Sequence, residues 1–205
     1  MGWPSTRSLL RPSMEPAPPY AELMAPFMPK PTITGEIAVL RPMVADDAQD
    51  LWDDIKDDEA RRLTGTHTSF TRDQIDRWCS TRIDQDDRLD LAVMDRSDGS
   101  WLGEVVVHEW DPDNRSCGFR IALRSAARGR GVGTEATRLV VDHVLADPAV
   151  NRISLEVFDF NERARSVYRN VGFVEEGTLR EALWWDDRPH DAIVMSILRR
   201  EWLSG

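Results

Sequence analysis

The segment best suited to chemistry is Arg128-Gly129-Arg130-Gly131-Val132-Gly133-Thr134. Glycines at alternate positions let the main chain turn tightly and approach a ligand with no Cβ in the way. The segment lies between a strand-like stretch ending near Leu123 and an amphipathic helical stretch, so it would form a helix entry. Amides in a helix's first turn have no internal partners, and the helix carries about half a positive charge there. Such an entry receives phosphate oxygens. Arg124, Arg128 and Arg130 add formal charge. No Lys-Ser/Thr ending is present, which disfavours an NTP-binding loop. A dinucleotide fold would carry its glycine turn after the first strand, whereas this one follows the fourth. A plain strand–helix connector is the other reading of the loop taken alone.

Further reactive side chains are clustered. Asp46, Asp47, Asp50, Asp53, Asp54, Asp57, Asp58 and Glu59 crowd one stretch, and Asp84, Asp86 and Asp87 another. They read as solvated helix faces, or as walls for a cationic acceptor. Trp184-Trp185-Asp186-Asp187 could offer aromatic faces and carboxylates to an amine, or be an ordinary hairpin. Cys79 and Cys117 stand far apart, and with scattered histidines they make no metal spacing. No metal is expected. Cys117 has no histidine in sequence that would activate it, so a buried structural thiol is expected.

The elements that must position these residues follow from hydrophobic periodicity. Eight of the 12 prolines fall within the first 31 residues, and each fixes φ and removes a donor. Residues 1–34 are therefore expected to be an arm outside the fold, and residues 35–205 one domain. Met14, Met24 or Met28 could serve as later starts, and Met1-Gly2-Trp3-Pro4-Ser5-Thr6 fits a myristoylation pattern only formally. Ile37–Leu40 reads as a strand, followed by a helix with Ala48, Leu51, Trp52 and Ile55 on one stripe. A second helix near Arg72–Ile83 aligns Ile75, Trp78 and Ile83. Asp90–Asp95, Trp101–Trp110 and Cys117–Leu123 read as strands joined by hairpin turns. A helix over Thr134–Ala146, a strand over Arg152–Val157, a helix over Glu162–Asn170 and strands at Phe173–Leu179 and Ala192–Leu198 complete an α/β domain.

Composition narrows the function classes. The 205-residue chain has a net charge of −10, and its basic residues are nearly all arginine. That balance excludes a general nucleic-acid binder and suits an amine-bearing partner. Apolar runs are too short for a bilayer span, so no membrane association is expected. No apolar leader with a cleavage site stands at the start. With only two cysteines, the expected setting is reducing and cytoplasmic.

The loop Arg128-Gly129-Arg130-Gly131-Val132-Gly133, continued by Thr134-Glu135-Ala136, resembles the phosphate loop of the GNAT N-acetyltransferase superfamily. A second stretch, Asn161-x-x-Ala164-x-x-Val167-Tyr168 with Gly172-Phe173, is similar to another motif of that family at a suitable distance. Glu176-Gly177-Thr178-Leu179-Arg180 and Asp191 resemble the branch that acetylates ribosomal-protein N-termini. Together the likeness spans residues 36–200. It implies a GNAT fold, a mixed and mostly antiparallel sheet flanked by helices, with a V-shaped splay between the fourth and fifth strands expected above.

The resemblance also implies roles. Acetyl-CoA would be the acyl donor, its diphosphate on the backbone of Arg128, Gly129, Arg130, Gly131, Val132, Gly133 and Thr134. The pantetheine arm would bond to Ile121, Ala122 and Leu123 like an added strand, with Asn161 contacting it from the other side. An amide in that strand would polarise the thioester carbonyl. Tyr168 stands where the family places the hydroxyl that protonates the departing thiolate, and a phenol near 10 suits that role. Relatives often carry a basic carboxylate at the start of the strand before the loop, where this chain has Ser116-Cys117. Glu104 is the substitute base, with His108 on its face of the strand and Glu109 opposite. The expected acceptor is a primary amine on a protein, an N terminus or a lysine. The alternatives are a small amine such as an aminoglycoside or polyamine, or a non-catalytic acyl-CoA-binding module. A homodimer is the expected assembly.

Overall fold

The computed structural model describes residues 26–204. Residues 1–25, with the myristoylation pattern, the alternative starts at Met14 and Met24 and most of the expected arm, lie outside the described residues. Over 26–34 the expectation of an arm outside the fold is corrected. Phe27 is 1% exposed and lies edge-on to Trp110 at 5.8 Å. The short strand β1 (Ile33–Thr34) pairs with β2 (Ala38–Pro42). A buried aromatic and a strand pairing outweigh the proline content.

After β2 come three short helices, α1 (Ala48–Asp54), α2 (Asp58–Thr64) and α3 (Arg72–Thr81). Helix α2 was not expected from periodicity. Its signals are its caps: the Asp57 side chain accepts from the Ala60 amide, and Gly65 ends it at φ 63°. Ile83 does not share the buried face of α3; it lies exposed in a 3₁₀ turn over Arg82–Asp84. Strands β3 (Leu89–Asp95), β4 (Trp101–Asp111) and β5 (Ser116–Leu123) follow as antiparallel neighbours. Then come α4 (Val132–Ala146), β6 (Arg152–Phe158), α5 (Glu162–Val171), β7 (Val174–Trp185), β8 (Arg188–Leu198) and α6 (Arg199–Trp202).

The sheet order is β1-β2-β3-β4-β5-β6-β8-β7, and β5–β6 is its one parallel contact among the described residues. Alternation on β3 feeds two cores. Leu89, Leu91 and Val93 join the larger core that includes Ala136, Val140 and Val144 of α4. Ala92 joins the smaller one with Leu51 and Ile75 of α1 and α3. Helices therefore cover both sheet faces, and burying these apolar side chains supplies the main favourable term.

Two features position the site. First, β5 pairs with β6 only from Ser116 to Gly118, opposite Arg152 to Ser154. Beyond Gly118 the strands separate, which is the expected splay. Second, a register shift at Val93/Met94 bulges β4 at Gly103, whose φ is 145°. A Cβ there would overlap the Ala122 carbonyl oxygen and come within 2.8 Å of the Leu123 Cα. Glycine at 103 is what lets β4 lie against β5 at this point.

Candidate active site

A cavity of about 650 Å³ fills the fork between β5 and β6. Its lining includes Ile121, Ala122 and Leu123 on one wall and Asn161, Ala164 and Tyr168 on the other. The unpaired edge of β5 beyond Gly118 faces this space, so its main-chain groups are available to an extended ligand. Gly131 caps α4 at φ 86° without a side-chain cap, leaving the first-turn amides unbonded by any cap. Glu135 in that turn accepts from the amides of Glu36 at 2.6 Å, Ile37 at 2.9 Å and Ala38 at 2.8 Å. It ties the helix entry to the start of β2.

Of the loop residues expected to hold the diphosphate, Arg128, Gly129, Gly131, Gly133 and Thr134 line the cavity. The side chains of Arg130 and Val132 do not. Val132 is fully buried in the larger core, and Arg130 turns away to Asp95 at 2.6 Å. Arg124 is also turned away from the loop, bonding Asp54 at 2.5 Å and Asp50 at 2.9 Å. Arg128 pairs with Glu59 at 2.5 Å. The expected surplus of positive charge is thus largely neutralised by local acids, which leaves the backbone amides as the loop's main offer to an anion. Asn161 caps α5 by accepting from Ala164 at 3.2 Å.

A second, smaller cavity of about 150 Å³ shares Ala60, Thr64, Arg120, Ala122 and Leu123 with the fork. Its other walls include Leu51, Ile55, Phe70 and Trp78, with the buried Glu104 and the half-buried Asp54 and Asp57 as its acids. Glu104 is the cross-strand partner of Ala122 and is 7% exposed. One of its oxygens takes the Arg120 guanidinium at 2.7 Å; the other is buried without a partner among the described residues. Burial raises its pKa, and Arg120 opposes the rise. Asp54 takes the Trp101 indole at 2.6 Å besides Arg124, and burial raises its pKa against those bonds. So the acidic cluster is not simply a solvated face. Asp47 is buried against Arg41 at 2.6 Å, Asp57 caps α2, and Asp50 and Asp54 hold Arg124.

Tyr168 lies against Phe119 and Phe173 and lines the fork. Burial pushes its phenol well above the ordinary value of 10. That direction makes the phenol a poorer proton donor than the ordinary value suggests, while leaving its hydroxyl able to donate a hydrogen bond into the fork. His108 and Glu109, expected on opposite faces, both line the fork. A bulge between His108 and Asp111 puts Glu109 at φ 54°, which breaks the alternation. Cys117 is buried and its thiol is pushed up to about 12 by burial, the setting of a structural thiol. Trp185 stacks on His67 at 4.8 Å, while Trp184 is 60% exposed.

The profile described as "Acetyltransferase (GNAT) domain" matches residues 38–174. The chain belongs to the GNAT acetyltransferase family. It is 31% identical over 105 residues to the Bacillus subtilis (strain 168) protein named "Putative ribosomal N-acetyltransferase YdaF", covering 51% of this chain and 57% of that protein. To the spermidine N(1)-acetyltransferase of Escherichia coli (strain K12) it is 27% identical over 130 residues, covering 60% of this chain and 70% of that one. The GNAT fold is shared with the crystal structure of spermidine N-acetyltransferase from Vibrio cholerae in complex with CoA and spermine. The TM-score is 0.76 at 22% identity, over 82% of this chain and 99% of that one. Sequence reasoning missed Arg120, Trp101, Gly103 and Arg163, and gave Asp54 only as one of a cluster of acids. Of these only Arg163 sat inside a motif.

Proposed function

We propose that this GNAT protein transfers the acetyl group of acetyl-CoA to a protein α-amino group. One observation carries the reading. The fork and the smaller cavity meet at Ala122–Leu123, and Glu104, which lines the smaller cavity and keeps one buried oxygen without a partner among the described residues, is the cross-strand partner of Ala122. A donor site and an acceptor site are thereby joined beside a buried base.

The residues of the fork suit a CoA-type ligand: an open strand edge for an amide-bearing arm and unbonded helix amides for a diphosphate. Bound acetyl-CoA would supply an activated acetyl thioester at Ala122–Leu123. Glu104 would hold the incoming amine and take its proton, with Arg120 keeping the carboxylate in place. The Tyr168 hydroxyl would donate a hydrogen bond to the departing sulfur. An α-amine has a pKa near 8, so freeing it at pH 7 costs about 1 kcal/mol, against about 4.6 kcal/mol for a lysine.

The choice of a protein α-amine rests on charge and size. Glu104 is paired with Arg120, Asp54 with Arg124, and Asp57 is engaged by the Ala60 amide as the cap of α2, so the acids lining the small cavity are held locally and favour one ammonium over several. The relative named for ribosomal acetylation points the same way. A polyamine is the second reading, favoured by the spermidine acetyltransferases among the relatives. The buried free thiols fit a reducing, cytoplasmic setting. The test is thiol release from acetyl-CoA with a panel of N-terminal peptides, an N-blocked lysine peptide and spermidine, the products identified by mass spectrometry. Higher kcat/KM for α-amines is expected. Faster turnover of spermidine would replace the acceptor, and CoA binding without any turnover would reduce the protein to a binding module.

A further inference from the structure

The fork is lined by three arginines, Arg120, Arg128 and Arg163. Two are neutralised in place: Arg120 by Glu104 at 2.7 Å and Arg128 by Glu59 at 2.5 Å. Arg163 has no carboxylate within ion-pair distance among the described residues. Its neighbours on α5 show the contrast. Arg165 is bound to Glu162 at 2.8 Å and Glu175 at 3.0 Å, and Arg169 to Glu175 at 2.5 Å.

Placement completes the case. Asn161 caps α5, so Arg163 is the second residue of the helix and leaves it at the mouth of the fork. A Cβ built on Gly129 would lie 3.4 Å from an Arg163 guanidinium nitrogen. Gly129 itself stands at φ 80° in the phosphate loop, on the far wall. The one uncompensated guanidinium in the cavity among the described residues thus reaches across the splay to the loop's main chain. It supplies the positive charge that the loop's own arginines have given to local acids.

We propose that Arg163 clamps the diphosphate of the acyl carrier from the α5 side, closing the fork over a ligand that the loop amides hold from the other. The inference rests on the acyl-CoA reading above. A guanidinium offers paired N–H donors to phosphate oxygens, and such charge-assisted bonds are stronger than neutral ones.

Calorimetry of the full chain with CoA, dephospho-CoA and pantetheine tests it directly. Arg163→Gln should bind CoA and dephospho-CoA about 10- to 100-fold more weakly, the loss of a hydrogen-bonded charge pair. Pantetheine, which lacks the diphosphate, should bind both proteins alike. Arg163→Lys should recover part of the loss. Arg163 is exposed, so unfolding is not the expected outcome, and an unchanged urea midpoint would verify that. Equal CoA affinity in wild type and Arg163→Gln would overturn the inference while leaving the acyl-CoA reading intact. A loss confined to CoA would also overturn it, moving the contact to the ribose phosphate. No heat with wild type would remove the acyl-CoA reading and the inference together.

Discussion

The fork and the smaller cavity touch at Ala122–Leu123, yet they are made of different material. The fork offers main chain: an open strand edge, glycine turns and helix amides. The smaller cavity offers paired side chains, the buried Glu104 with the exposed Arg120 and the half-buried Asp54 with Arg124 and Trp101. A main-chain site tolerates many side chains but no misplaced Cβ. A side-chain site survives backbone adjustment but not the loss of one partner, because the other is left buried and uncompensated.

The contrast can be broken most severely at Gly103. Gly103→Ala should push β5 from β4 at the junction of both cavities, destabilise the protein by about 2–4 kcal/mol and abolish most acetyl transfer. Urea unfolding together with CoA calorimetry would check this; retained stability and affinity would show that the bulge can relax. Glu104→Gln probes the side-chain cavity alone. Turnover should fall about 10²- to 10⁴-fold with CoA affinity unchanged. As the proposed base, Glu104 would have to act deprotonated, and burial raises its pKa. Wild-type kcat/KM should therefore climb with pH through a limb above the ordinary carboxylate range, and that limb should be missing in the variant.

Tyr168→Phe is a smaller step. With the phenol raised by burial and acting through a hydrogen bond, kcat should drop about tenfold at unchanged KM. A rate equal to wild type would remove Tyr168 from the mechanism.

The smallest effect is expected at Asp95, which anchors the phosphate loop through Arg130. The Ser97 hydroxyl and amide, then Arg130, hold its carboxyl down at about 2, against an ordinary 3.8. A depressed folded pKa stabilises the protein above the unfolded value. That contribution should be complete above about pH 4 and fade as pH falls towards 2. In Asp95→Asn this part of the pH dependence should vanish from the urea midpoint, and persistence of the full wild-type curve would refute the anchor.

The two regions were also unequally legible. The loop Arg128–Thr134 and the motif around Asn161–Tyr168 are contiguous, so their chemistry could be read from neighbouring residues. Glycine content, a helix entry and a cap are local properties. Most strands and the longer helices were legible from periodicity, whereas α2 was hidden because caps rather than an apolar stripe mark it. Residues 26–34 were misjudged because proline content describes local stiffness and says nothing of where Phe27 packs.

From sequence alone came the family resemblance, the order of most elements and the position of a glycine-rich helix entry, since each depends on residues adjacent along the chain. Tertiary structure alone decided where the charges go. Arg124 meets Asp54, Arg130 meets Asp95 and Glu104 meets Arg120 across 70, 35 and 16 positions, and a register shift turns Glu109 towards the fork. Electrostatic partners and burial are set by distance in space and by exclusion of water. Neither is written in the spacing of residues along the chain.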